Sequence, residues 1–305
     1  MTQRKRTLGK LFGTGDDRKH TPSNSLVLPS CYIGIEIEVE NINKNHLPIG
    51  GRDEDLYLDL ADGVYWNIHR DGSLRNNGLE FTSNKVCGED VITALAQIDK
   101  LLSGLKPKPS LSHATSLHIH MDVNDLNINE LIYLLGCYTV LEQLLFIYAG
   151  ADRINNFYCM PYAQSEHLQC SLADLWQFRD SDTEIVNIID QFPKYSAVNL
   201  HAINTFGSLE FRQHRGTYNQ EEIVTWINIL LSLKKAAIGK SPDDLPEYFS
   251  VSGPDTFLVQ IFGSLADNFT GIRNYREYMV EGVQIAQDIV RLGTLSELRH
   301  THNKH

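Results

Sequence analysis

The run Gly34-Ile35-Glu36-Ile37-Glu38-Val39-Glu40 alternates strictly between apolar and acidic residues. A β-strand turns successive side chains to opposite faces, so this order sets Ile35, Ile37 and Val39 on one face and Glu36, Glu38 and Glu40 on the other. The β-branched face and the two-residue period predict a strand. Three carboxylates about 7 Å apart along one face repel each other. Water on a solvated face or a bound cation would tolerate them.

The same partition recurs three times. Leu79-Glu80-Phe81-Thr82 sets Glu80 and Thr82 on its polar face. Leu117-His118-Ile119-His120-Met121-Asp122-Val123 groups His118, His120 and Asp122, and Leu209-Glu210-Phe211-Arg212-Gln213-His214 groups Glu210, Arg212 and His214. Taken singly, each is compatible with a solvated strand, and a lone Glu-x-Arg with an exposed ion pair worth under about 1 kcal/mol. Lysine is absent from all four runs, however, and their polar faces are almost purely Glu, His and Arg. If the strands share a sheet, the carboxylates converge and need opposing charge to stay ionised. Mg²⁺ or Mn²⁺, which favour oxygen donors with an occasional imidazole, would supply it.

Other polar motifs flank these strands. Arg70-Asp71-Gly72-Ser73 reads as a turn, in which Asp71 either shapes the backbone or orients a substrate amine. Segment 151–159, rich in hydrogen-bonding side chains, contains Arg153, and segment 194–200, which leads into the next strand, contains Asn199. A glycine turn after the fourth strand allows Arg215 to meet a phosphate or a carboxylate. Cys159 reads as an incidental buried thiol.

Strand-like segments are expected at 31–40, 65–70, 79–82, 116–123, 198–204 and 208–214. Helices are expected at 90–105, 129–150, 168–178, 182–192 and 221–238, with more helix from 241 onward and a loop around 244–247. Without a βαβ rhythm this is α+β with an antiparallel sheet. The expected domains are a mobile basic tail (1–28), a catalytic domain (29–240) and a C-terminal helical extension packed on it (241–305). Of the chain's 305 residues, 42% are hydrophobic, enough for a sizeable core. A formal net charge of -11 argues against nucleic acid as a partner. Five scattered cysteines without a CxxC pair predict reduced thiols in the cytoplasm. The basic start lacks the apolar run of a signal peptide, and the most apolar segment, 131–148, carries Glu142, so no membrane partner is expected.

The ordered set GxExE, DGS…GLEFTS, HxH, RxNxxYC, KYxAVNL and ExRxxxGT resembles the amidoligase family, a distant branch of the glutamine-synthetase-like carboxylate–amine ligases. The resemblance covers about residues 31–233. It implies a curved, mostly antiparallel sheet with helices on its convex face and divalent ions on its concave face. It also implies a reaction: ATP phosphorylates a carboxylate, and an amine displaces the phosphate to give an amide or isopeptide bond on a small amino acid or peptide, with segments 152–160 and 195–199 as the loops expected to shield the acyl phosphate from water. Carried over by position, Glu36, Glu38, Glu80, His118 and Glu210 match metal ligands. His120, Arg212 and Arg215 match nucleotide-facing residues, with Arg212 on the transferred phosphoryl and Asp71 as a second catalytic group. Arg153, Asn199 and Arg215 match substrate-binding positions. The resemblance assigns Glu40 no role and fixes no oligomeric state. The rival readings are a metal-dependent hydrolase using the HxH pair and a non-catalytic nucleotide- or metal-binding protein.

Overall fold

The four alternating runs all form strands. In the computed structural model, which describes residues 6–15, 31–50, 56–58 and 65–302, they are β1 (Ile33–Val39), β5 (Leu79–Ser83), β6 (Ser116–Asp122) and β8 (Ser208–Arg215). The remaining strands are β2 (Ile49–Gly50), β3 (Leu56–Leu58), β4 (Trp66–His69) and β7 (Val198–Asn199). The helices are α1 (Leu8–Phe12), α2 (Glu89–Gly104), α3 (Ile128–Gly150), α4 (Glu166–Gln177), α5 (Asp182–Asp190), α6 (Ala202–Phe206), α7 (Gln220–Ala237), α8 (Leu245–Phe262), α9 (Asp267–Thr270) and α10 (Tyr275–His302). Mixed helix and antiparallel sheet make the chain α+β.

The chain divides into two units that interleave in sequence. One takes Met1–Lys19, Val123–Leu209 and Leu231–His305; the other takes His20–Asp122 and Glu210–Leu230.

The second unit holds the polar faces. Its strands run in the order β2-β3-β4-β5-β1-β6-β8, with antiparallel pairing of β1 to both β5 and β6. The apolar side of the alternation is buried as expected: Ile33, Ile35, Ile37, Val39, Phe81, Leu117, Ile119 and Phe211 are at most 1% exposed. Each such side chain contributes about 1.5–3 kcal/mol by leaving water. Val91, Leu95, Ile98 and Leu102 form the buried stripe of α2.

In the first unit, α3 starts with a capping box between Asn127 and Glu130, and α10 packs against α3 and α4. Gly282 permits the close approach, since a Cβ there would fall 2.4 Å from the Val140 carbonyl oxygen. By length and hydropathy α3 is apolar enough to cross a bilayer, contrary to the expectation from its Glu142. It is buried on nearly all sides within the protein, as the core helix of a globular chain is.

Three local expectations need correction. Residues 198–204 give only β7, because the Asn199 side chain accepts the His201 N–H at 2.9 Å and turns the chain into α6. Residues 244–247 are not a loop: Ser241 caps a 3-10 turn that leads into α8. Within the expected mobile tail, Leu8 is 1% exposed and its N–H donates to the Leu126 carbonyl at 2.7 Å, so α1 is docked. The other tail positions, 1–5 and 16–28, lie outside the described residues.

Candidate functional site

The register of β1 with its neighbours brings the polar faces together. Glu38 stands opposite Glu80, and Glu36 opposite His118. Residues so paired have Cβ atoms about 4.5–5.5 Å apart, and like charges there destabilise the sheet unless neutralised. Gly34 stands opposite His120, and a Cβ on it would lie 3.2 Å from the His120 Cβ. The glycine that opens the GxExE run therefore makes room for that imidazole.

Glu36 is the hub. Its Oε2 lies 2.9 Å from His118 Nδ1 and its Oε1 lies 3.0 Å from His120 Nε2. His118 Nδ1 is also 3.6 Å from Glu210 Oε1, and the Arg212 guanidinium donates to that same oxygen. On the other side Glu38 Oε2 accepts the Ser116 backbone N–H at 2.7 Å and the Ser116 hydroxyl, which lies 2.8 Å from His118 Nε2. Ser116 thus ties Glu38 to His118. Its place two residues before His118 put it on the same face, a signal the sequence offered.

Three groups of side chains could each hold a cation: Glu36–Glu80–His118, Glu36–His120–Glu210 and Glu38–Asp71–Glu80, with the donor atoms of each group within 4.8 Å of one another. Two ligands of one Mg²⁺ stand about 3 Å apart in cis and about 4 Å in trans. The expected ligands Glu36, Glu38, Glu80, His118 and Glu210 all fall in these groups. Two further donors join them: His120, read as a nucleotide residue, and Asp71, read as a turn or catalytic residue.

The electrostatics differ between the two halves. Burial would raise the Glu36 carboxyl, but hydrogen bonds with His118 and His120 and their positive charge outweigh it and hold the group well below its usual range. Glu210 is likewise lowered against the pull of burial, chiefly by the Arg212 charge. His120 is raised, its burial outweighed by the Glu36 hydrogen bond. Glu80 has no such compensation. Burial first, and then the charges of Glu36, Glu38 and Asp71, push it up to about 8. An excess of carboxylate with few imidazoles is the donor set of a hard divalent ion, so the residues present fit Mg²⁺ or Mn²⁺.

The other expected site residues, Arg215, Arg153 and Asn199, are in none of the three candidate cation groups. Arg215 is half-exposed and its Nη2 donates to Glu222 Oε1 at 2.6 Å. Arg153 and Asn199 belong to the other unit and are both buried. There the two loop segments expected to shield the site are joined: Met160 N–H donates to the Tyr195 carbonyl at 2.7 Å, and the rings of Tyr158 and Tyr195 meet edge-on at 5.4 Å. Cys159 is fully buried, with its thiol donating to the Arg153 carbonyl at 3.3 Å.

A comparison with curated proteins gives no match. A family model described as "Putative amidoligase enzyme" matches residues 79–234, a stretch that contains Glu80, His118, His120, Glu210 and Arg212. That match covers just over half of the sequence, and the chain belongs to this family of amide-forming ligases.

Proposed function

We propose that the protein is an ATP- and Mg²⁺-dependent carboxylate–amine ligase with a glutamine-synthetase-like fold, forming an amide or isopeptide bond through an acyl phosphate on a small amino acid or peptide. The observation that carries this reading is the set of three overlapping donor groups on one polar face, with an Arg at its edge. Glu36, Glu38, Glu80, His118 and Glu210 would hold Mg²⁺ or Mn²⁺, with His120 and Asp71 available as further donors. When bound, the ions neutralise phosphate charge and polarise phosphoryl oxygens.

Phosphoryl transfer asks the protein mainly for position and charge. Arg212, held by Glu210, is set to meet the transferred group. His120 and Arg215 are the other nucleotide-facing residues. Asp71, with its Oδ1 fixed by the Ser73 N–H at 2.7 Å, presents a carboxylate to an incoming amine. Arg153, Asn199 and Arg215 are assigned to the substrate by the resemblance alone. The five cysteines are all free thiols, in keeping with a reducing cytoplasmic setting. The acidic net charge speaks for small substrates over nucleic acid.

The test is phosphate release from ATP in Mg²⁺ across a panel of acids and amines, with products read by mass. Release that requires both an acid and an amine, with an amide formed, is the expected result. Release without an amine would indicate a hydrolase, and ATP binding without release a non-catalytic protein.

A further inference from the structure

An open cavity of about 580 Å³ lies in the second unit between the turn after β1 and the turn before β5. Small-molecule pockets have this size. Asp71 lines it and also belongs to the Glu38–Asp71–Glu80 group, so the cavity and a candidate cation site share a wall. Its other polar walls are Lys44, Arg70, Asn41, Asn43 and Asn77. Neither Lys44 nor Arg70 forms an ion pair with another described residue. In a chain with 38 acids against 27 lysines and arginines, two such cations in one cavity mark a place for an anion.

The walls are preformed. Asn41 and Asn77 adopt left-handed backbone with φ of 58° and 59°, which Asn tolerates better than other residues with a β-carbon. The Asn41 N–H donates to the Asn76 carbonyl at 3.0 Å, which locks one turn against the other.

We infer that this cavity binds the non-reacting end of the substrate, an amino acid or peptide terminus with a free α-carboxylate. The carboxylate sits between Lys44 and Arg70, whose guanidinium fork matches its two oxygens. The asparagine amides take neutral polar groups of the ligand. The end nearer Asp71 faces the candidate cation site, where the reaction proposed above would occur. The assignment rests on that ligase reading and adds two cations to the substrate residues carried over by resemblance.

Calorimetry tests it with the twenty L-amino acids, L-alanyl-L-alanine and the amide-capped form of each, in Mg²⁺ with and without a non-hydrolysable ATP analogue. At least one free-carboxylate probe is expected to bind, and its capped form about ten-fold more weakly. Lys44→Ala and Arg70→Ala should each weaken the free probe about ten-fold and leave the analogue's affinity unchanged. Lys44→Arg should recover part of the loss, which separates charge recognition from damage to the fold. The inference is overturned if no probe binds, if capped forms bind equally well, or if the variants weaken the analogue and not the probe. Wild-type protein that shows the free-carboxylate preference but does not bind the analogue would uphold the pocket while sinking the ligase reading.

Discussion

The carboxylate of Glu40 accepts the backbone N–H of Arg75 at 2.8 Å. Glu40 is 4% exposed, and its main chain pairs with Ser110. Its side chain therefore holds the segment that carries Arg70 and Asp71, and it belongs to none of the three candidate cation groups. The third acid of the alternating run is a positioning residue for the turn beside the site.

Glu40→Ala is expected to leave the Arg75 N–H without its partner, at a cost of about 1–3 kcal/mol in urea unfolding, and to weaken Mg²⁺ binding through a loosened Asp71. Glu40→Gln keeps an acceptor oxygen and should recover most of both losses. Equal stability for wild type and Glu40→Ala would refute the clamp.

Glu38 and Glu80 face each other and neither forms an ion pair with another described residue, so a divalent ion should stabilise the fold. At a hundred times its dissociation constant, Mg²⁺ would add about 2.7 kcal/mol. Glu80→Gln should abolish most of that gain and leave the metal-free protein as stable as wild type or more so, because the folded state no longer holds a buried acid whose pKa is raised to about 8 beside Glu38. Thermal unfolding with Mg²⁺ and with EDTA reads both effects. A Glu80→Gln protein that keeps the full Mg²⁺ gain would remove Glu80 from the ligand set.

The sequence revealed the polar faces because strand geometry is a local rule with a period of two, and Glu36, Glu38, His118, Glu210 and Arg212 obey it. Two strands escaped because Ile49–Gly50 and Leu56–Leu58 are too short to show a period. Which polar residues meet depends on register and turn shape. That is why His120 emerged as a donor partner of Glu36 and Glu210, and Asp71 of Glu38 and Glu80, only once β1 was seen between β5 and β6. The strand over-extended past Asn199 shows the converse, where a single side-chain hydrogen bond ended a pattern that looked continuous.

Arg212→Ala should lower turnover by roughly 10³-fold, by analogy with arginines that neutralise a transferred phosphoryl. Arg212 is 9% exposed and its charge is the main influence holding Glu210 low against burial. Removing it strands a buried carboxylate, so the alanine variant should also lose about 3–5 kcal/mol without metal. Arg212→Lys keeps the charge but loses the fork, so it should fold nearly as stably while turnover remains impaired. Full activity in Arg212→Lys would show that charge alone suffices and would remove the forked contact from the mechanism.

The buried Glu142 of α3 gives the first unit a pH dependence of its own. Its two oxygens accept the N–H groups of Tyr162 and Ala163 at 2.8 and 2.9 Å. Those bonds and the Tyr138 hydroxyl lower the carboxyl's pKa, but burial outweighs them and raises it to about 7. The folded form therefore keeps a proton that the unfolded chain releases in the ordinary carboxylate range. Below that range both forms are protonated and the group is neutral to stability. As pH rises toward about 7 the folded state becomes progressively less favoured, by roughly 3 kcal/mol in all, and above about 7 the cost is constant. Glu142→Gln cannot ionise, so its unfolding free energy should lack this component. It also turns an amide nitrogen toward one of the two N–H groups, which costs about 1–3 kcal/mol at every pH. The difference between wild type and variant, measured by urea unfolding at pH 5 and pH 8, should therefore shift in the variant's favour at the higher pH. A difference that stays constant between the two pH values would show that Glu142 is ionised throughout, with its two backbone partners outweighing burial.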